Sequence, residues 1–145
     1  MTQEDKNLLL KDLCARWPYG VKMSNINAIH NGLNLPPITV DVSDYENSNP
    51  LVLISSGFRP YLRPMSSMTK EEKKEYDNFL FDNLEREDVI GYEDKAFGID
   101  VIMRYRSWEV VQWLLEHHLD FNGLIDLGLA LEAPNDMYKK VYNCL

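Results

Sequence analysis

Thr69-Lys70-Glu71-Glu72 divides this chain more sharply than any other four residues. It is a complete T-x-x-E capping box. The threonine hydroxyl can take the amide of the glutamate, and the glutamate carboxylate can take the amide of the threonine. Glu71, Glu72 and Glu75 suit the positive N-terminal end of the helix dipole. The spacing predicts a long helix after residue 69, with Tyr76, Phe79, Leu80 and Leu84 as its buried stripe, fraying by Asp88 and closing at Gly91. Strand patterns fall mostly before this boundary and helix patterns mostly after it.

Before the boundary, Thr2 and Asp5 form a weaker box ahead of a helix carrying Leu9, Leu10, Leu13, Cys14 and Trp17 on one face. Pro18-Tyr19-Gly20 stops it, since proline lacks an amide hydrogen and restricts the residue before it. Residues 21–64 read as strands and turns. Val21 and Met23 alternate with polar neighbours, Asn31-Gly32 is a hairpin-type turn, and Ile38, Val40 and Val42 alternate with Thr39 and Asp41. Leu51-Val52-Leu53-Ile54 is a short apolar run that reads as a strand covered on both faces. Prolines at 60 and 64 reduce 58–64 to an edge strand at best.

After the boundary, Val101, Met103 and Tyr105 suggest a last strand near 99–105. Ser107 can cap a second helix bearing Val110, Val111, Leu114, Leu115 and His118. Leu124 to Ala133 reads as a short helix or buried turn, and Pro134-Asn135-Asp136 starts a short final helix. The fold class expected is α+β: an N-terminal helix, a small mostly antiparallel sheet of about four or five strands, then two main helices and a short C-terminal helix. At 145 residues, with no linker or repeat, residues 1–145 read as a single domain.

Charge narrows the function classes. The net charge is −8, yet residues 1–67 hold six basic and six acidic side chains. Residues 68–145 hold nine basic and seventeen acidic, so the whole excess is there. This argues against generic binding to a nucleic-acid backbone, which needs a basic footprint. No apolar run is long enough to span a bilayer, and the opening residues lack a secretory pattern, so a cytoplasmic setting is expected, with no membrane partner. Cys14 is expected in the core, Cys144 exposed, and both as free thiols.

No catalytic motif stands out, no cofactor is implied, and an enzyme is the less favoured reading. Four of the six arginines lie in two tyrosine-bearing segments, Arg59-Pro60-Tyr61-Leu62-Arg63 and Arg104-Tyr105-Arg106. Arginine offers a planar fork for carboxylate or phosphate, and tyrosine offers a stacking face. Arg59, Tyr61, Arg63, Arg104 and Arg106 are therefore the candidate ligand-binding residues, for a small anionic ligand or an acidic protein partner. The competing reading pairs these arginines with the chain's own acids between 71 and 94. A metal-assisted hydrolase using His117 and Asp120 is an alternative, although adjacent histidines on a helix point about 100° apart and a third ligand would have to come from elsewhere. The acids from Asp82 to Asp100 lack the D-x-D-x-D-G spacing of a calcium loop and read as a solvated face. Trp108 and Trp113 fall on different helix faces, so one of them can serve a homo-oligomeric interface.

Three blocks carry a resemblance: residues 12–21 (Asp12-Leu13-Cys14-Ala15-Arg16-Trp17-Pro18-Tyr19-Gly20-Val21), residues 60–69, and Trp113 through Ala133 with Gly128-Leu129-Ala130-Leu131-Glu132-Ala133-Pro134. In that order they resemble a group of small uncharacterised proteins of gut Bacteroidales and their phages or mobile elements. The resemblance implies a bacterial or phage cytosolic setting and an accessory or host-interaction role. It brings no activity and no site residues.

Overall fold

A computed structural model describes residues 1–41, 49–84 and 108–138. The chain divides into two compact units, Met1–Met65 with Leu115–Leu145, and Ser66–Leu114. Mixed helix and strand is the architecture expected of an α+β chain.

The first unit opens on α1 (Gln3–Arg16). Its N-terminus carries the anticipated box: the Asp5 amide donates to Thr2 Oγ1 at 3.1 Å, and the Thr2 amide to Asp5 Oδ2 at 3.4 Å. Leu9 and Leu13 are fully buried, but Cys14 is exposed rather than in the core. The buried face is completed by a charged pair, Asp12 and Arg16, one helical turn apart. A short 3-10 turn (Trp17–Tyr19) follows, and then come β1 (Val21–Asn25), α2 (Ile26–His30), β2 (Ile38–Val40), α3 (Pro50–Ser55), β3 (Phe58–Leu62) and β4 (Leu131–Glu132).

The sheet order is β2-β1-β3-β4; β1 pairs antiparallel with β2 and β3, and β3 pairs parallel with β4. Met23 lies opposite Ile38 on one side and Pro60 on the other. Side chains alternate across a strand. One face therefore carries Val21, Met23, Val40, Pro60 and Leu62, all buried beneath Leu9, Leu13, Leu53, Ile54, Leu124 and Leu129. Each fully buried aliphatic side chain contributes about 1.5–3 kcal/mol.

Four expectations are corrected. The run 51–54 is helical: Asn49 caps it by accepting from the amides of Leu51 and Val52, and Pro50 occupies the first turn, where its missing amide hydrogen costs nothing. Six residues suffice because only Leu53 and Ile54 need burial, while Leu51 and Val52 stay exposed. Strand β3 is an inner strand, not an edge. The amide of Ile26 bonds the Gly57 carbonyl at 2.9 Å, and paired rungs recur every second residue, so Met23 and Pro60 form a non-hydrogen-bonded pair that needs no proline donor. Asn31-Gly32 does not turn a tight hairpin. Gly32, at φ 77°, closes α2, and the chain runs on through Pro36 and Pro37 before β2 returns beside β1. Residues 124–128 form the expected turn, with Leu124 and Leu129 buried, but strand β4 falls at the end of that stretch, where no strand was expected. Its shortness hid it, since two residues carry no periodicity.

In the second unit α4 (Lys70–Leu84) begins with its capping box intact, the Thr69 amide donating to Glu72 Oε1 at 3.0 Å and the Glu72 amide to Thr69 Oγ1 at 3.1 Å. Residues 108–116 form α5. Trp113 Nε1 donates to Glu75 Oε1 at 3.0 Å, and its ring lies 5.3 Å from that of Tyr76. The Asp88–Gly91 helix end, the expected strand near 99–105, the Ser107 cap, Val42, Cys144 and the end of the proposed final helix lie outside the described residues. Within them, 135–138 form turns rather than a helix. No helix among the described residues is long and apolar enough to cross a membrane.

The Asp12–Arg16 pair has no exposed side-chain surface on either partner, with Nε to Oδ2 at 2.7 Å and Nη2 to Oδ1 at 3.1 Å. Removing one member strands the other charge, so Asp12→Ala is expected to lower unfolding free energy by about 3–5 kcal/mol. The double change Asp12→Leu with Arg16→Met should lose less than Asp12→Ala alone. Urea unfolding of the three proteins checks both statements.

Candidate functional site

The face of the sheet opposite the core carries different chemistry. Lys22 and Thr39 face each other across β1 and β2, and Ser24 and Arg59 across β1 and β3. Tyr61 follows Arg59 by two residues, and Arg63 follows Tyr61 by two, so the alternation sets Arg59, Tyr61 and Arg63 in one row. Among the strand residues described on this face, none is acidic. Lys22 Nζ donates to Thr39 Oγ1 at 3.2 Å. Lys22 was missed in the sequence because a single lysine in an alternating strand reads only as the wet side. The Tyr138 hydroxyl, bonded to the Lys22 amide and the Tyr61 carbonyl, is what ties it to Tyr61.

Arg59 and Arg63 are held in different ways. Arg59 is 8% exposed, and its Nη1 donates to the carbonyls of Ile54 at 3.1 Å and Phe58 at 2.8 Å. Burial pulls its pKa below the ordinary guanidinium value. It therefore holds the end of α3 onto β3. Arg63 is half-buried, with Nη1 donating to the His117 carbonyl at 3.1 Å. Tyr61 is half-buried, and its carbonyl accepts from the Tyr138 hydroxyl at 2.8 Å. Arg104 and Arg106 lie outside the described residues, as do most of the acids between 82 and 100.

Of the pair His117 and Asp120 considered for metal chemistry, the aspartate is engaged locally. Asp120 Oδ1 accepts from the Leu124 amide at 2.8 Å and Oδ2 from the Ile125 amide at 2.9 Å, which caps the turn that follows. No group of three His, Cys, Asp or Glu side chains suited to a metal occurs among the described residues.

Beside the face, Tyr138 stands between β1 and β3. Its hydroxyl accepts from the Lys22 amide at 2.9 Å, and its ring stacks on His118 at 3.8 Å with an 11° interplanar angle. His118 holds φ at 60°, a left-handed conformation that costs a non-glycine residue about 1–2 kcal/mol. Its carbonyl accepts from the Arg63 amide at 2.8 Å, and the Asp120 amide returns a bond to the Arg63 carbonyl at 2.8 Å. These bonds fix the segment in place. No family model, curated protein or solved structure matches the chain.

Burial raises the Tyr138 phenol from 10.0 to about 12. The folded state thus holds the phenolic proton more tightly than the unfolded chain. Its contribution to stability is complete below about pH 10 and is lost as pH climbs from there towards 12. Phenolate absorbance during an alkaline titration should show a late-titrating tyrosine that disappears in Tyr138→Phe.

Proposed function

We propose that this chain is a small non-enzymatic binding or adaptor protein that engages an acidic segment of a partner protein through the polar face of its sheet. The observation carrying this reading is the row Lys22, Tyr61 and Arg63, set on one face by strand alternation and register. Arg59 supports the row from within rather than reaching a ligand. A sheet face is broad, and it suits carboxylates on a partner's surface better than a small anion, which favours a concave site. Asp12 and Asp120 both have internal work: Asp12 holds Arg16, and Asp120 holds two backbone amides. The resemblance to small proteins of gut Bacteroidales and their mobile elements would place such a role in a bacterial cytoplasm, as an accessory or host-interaction protein.

The test is fluorescence anisotropy with a labelled glutamate-rich peptide at low and high salt. The wild type should bind at low salt and release as salt rises. Lys22→Glu should weaken binding by about tenfold or more. Lys11→Glu, an exposed change on α1, should leave binding within about twofold. Equal weakening by both variants, or no peptide binding at all, overturns the reading. A rise in melting temperature with inorganic pyrophosphate, together with no peptide affinity, would assign the face to small anions instead.

A second reading is favoured by one observation: Trp108 is 59% exposed. A bare indole on a helix suits a homo-oligomeric contact. Light scattering at micromolar concentration should then report more than one copy, and Trp108→Ser should return a monomer.

A further inference from the structure

Tyr138 occupies the place of a rung in the sheet. The β1–β3 register sets Ser24 opposite Arg59 and Met23 opposite Pro60. Continued by one residue, it sets Lys22 opposite Tyr61. Hydrogen-bonded pairs alternate with non-bonded ones. The Ile26 to Gly57 bond fixes the phase, so Lys22 and Tyr61 are due a direct bond from amide to carbonyl. The Tyr138 hydroxyl is interposed instead, accepting from the Lys22 amide at 2.9 Å and donating to the Tyr61 carbonyl at 2.8 Å. One residue further along β3, Leu62 keeps its bond to the other side, its carbonyl accepting from Ala133 at 2.8 Å. Beyond it, Arg63 bonds to residues 118 and 120. The two strands are wedged apart from Lys22 onward, by a phenol and by the 118–120 segment.

The chemistry of the wedge is selective. Its occupant must accept from an N–H and donate to a C=O at the same atom, which a hydroxyl does and an aromatic C–H does not. The His118 ring fixes where the phenol lies. Lys22 and Tyr61 are also the two residues whose side chains lead the polar sheet face. We propose that Tyr138 is a positioning residue for that face: its hydroxyl sets the separation of Lys22 and Tyr61, and so the spacing at which their side chains meet a partner's carboxylates. This rests on the binding reading above. With the hydroxyl removed, the register would let the Lys22 amide bond the Tyr61 carbonyl directly, and the face would narrow.

Tyr138→Phe separates the possibilities. Amide hydrogen exchange and peptide anisotropy are measured on the same protein. The expected result is an altered Lys22 amide, with Val21 and Met23, bonded toward β2, exchanging as in the wild type. The glutamate-rich peptide should bind about fivefold or more weakly. A uniform rise in exchange across β1 would mean general loosening and overturn a positioning role. Unchanged peptide affinity overturns it as well, whatever Lys22 does. Absence of binding by the wild type removes the binding reading and this proposal with it, and is recognised before any variant is made. If Tyr138→Phe does not fold, His118→Ala keeps the hydroxyl and removes its stacking surface. It should then perturb the Lys22 amide and weaken the peptide in the same direction, and wild-type behaviour in both would overturn the proposal.

Discussion

The Arg16 guanidinium has no exposed surface, and a cation so placed needs partners from several directions. Asp12 supplies two bonds from the preceding turn of α1. The Leu119 carbonyl supplies a third at 2.8 Å, and the Phe121 ring lies 5.3 Å from the guanidinium carbon. Asn122 in turn donates to Asp12 at 2.8 Å. A short-range pair on α1 thereby becomes the anchor for residues 119–122, more than a hundred positions away. Arg16 Nη1 is buried without a hydrogen-bond partner among the described residues, so the anchor is not fully satisfied.

What is anchored there reaches the polar sheet face. The segment 117–120 supplies the His117 carbonyl to the Arg63 side chain, the His118 and Asp120 backbone to the Arg63 backbone, and the His118 ring to Tyr138. Tyr138 then holds Lys22 and Tyr61. The buried pair on α1 and the row on the sheet face are thus joined by bonded contacts within a single compact unit. Lys22, Tyr61 and Arg63 owe their positions to groups drawn from opposite ends of the chain.

Legibility in the sequence followed the range of the interactions. Both capping boxes were readable because their donors and acceptors are three residues apart. Strands β1 and β2 were readable from alternation, and the placing of Arg59, Tyr61 and Arg63 in one row follows from spacing alone. The run 51–54 misled because four apolar residues suit a strand as well as a helix. The deciding signal was Asn49-Pro50 just ahead of it, a cap followed by a first-turn proline. Cys14 misled because α1 turns Asp12 and Arg16 inward and leaves Cys14 outside. At that spacing Asp12 and Arg16 look like an exposed helix pair, and only the carbonyl of Leu119 reveals otherwise. Lys22, Tyr138 and β4 depend on partners far away in sequence, and local patterns carry no trace of them.

Pro60 shows how an apparent liability can select one arrangement. It occupies a position on β3 where the neighbouring strand asks for no donor. Sliding β3 against β1 by one residue would bring the proline into a bonded rung and leave a carbonyl of β1 unanswered. The same slip would exchange the two faces, sending Leu62 to the wet side and Arg63 toward the core. Backbone chemistry and side-chain polarity thus reject the same error independently. Proline here serves as a key cut for a single alignment, and that alignment is the one that lines up Lys22 with Tyr61.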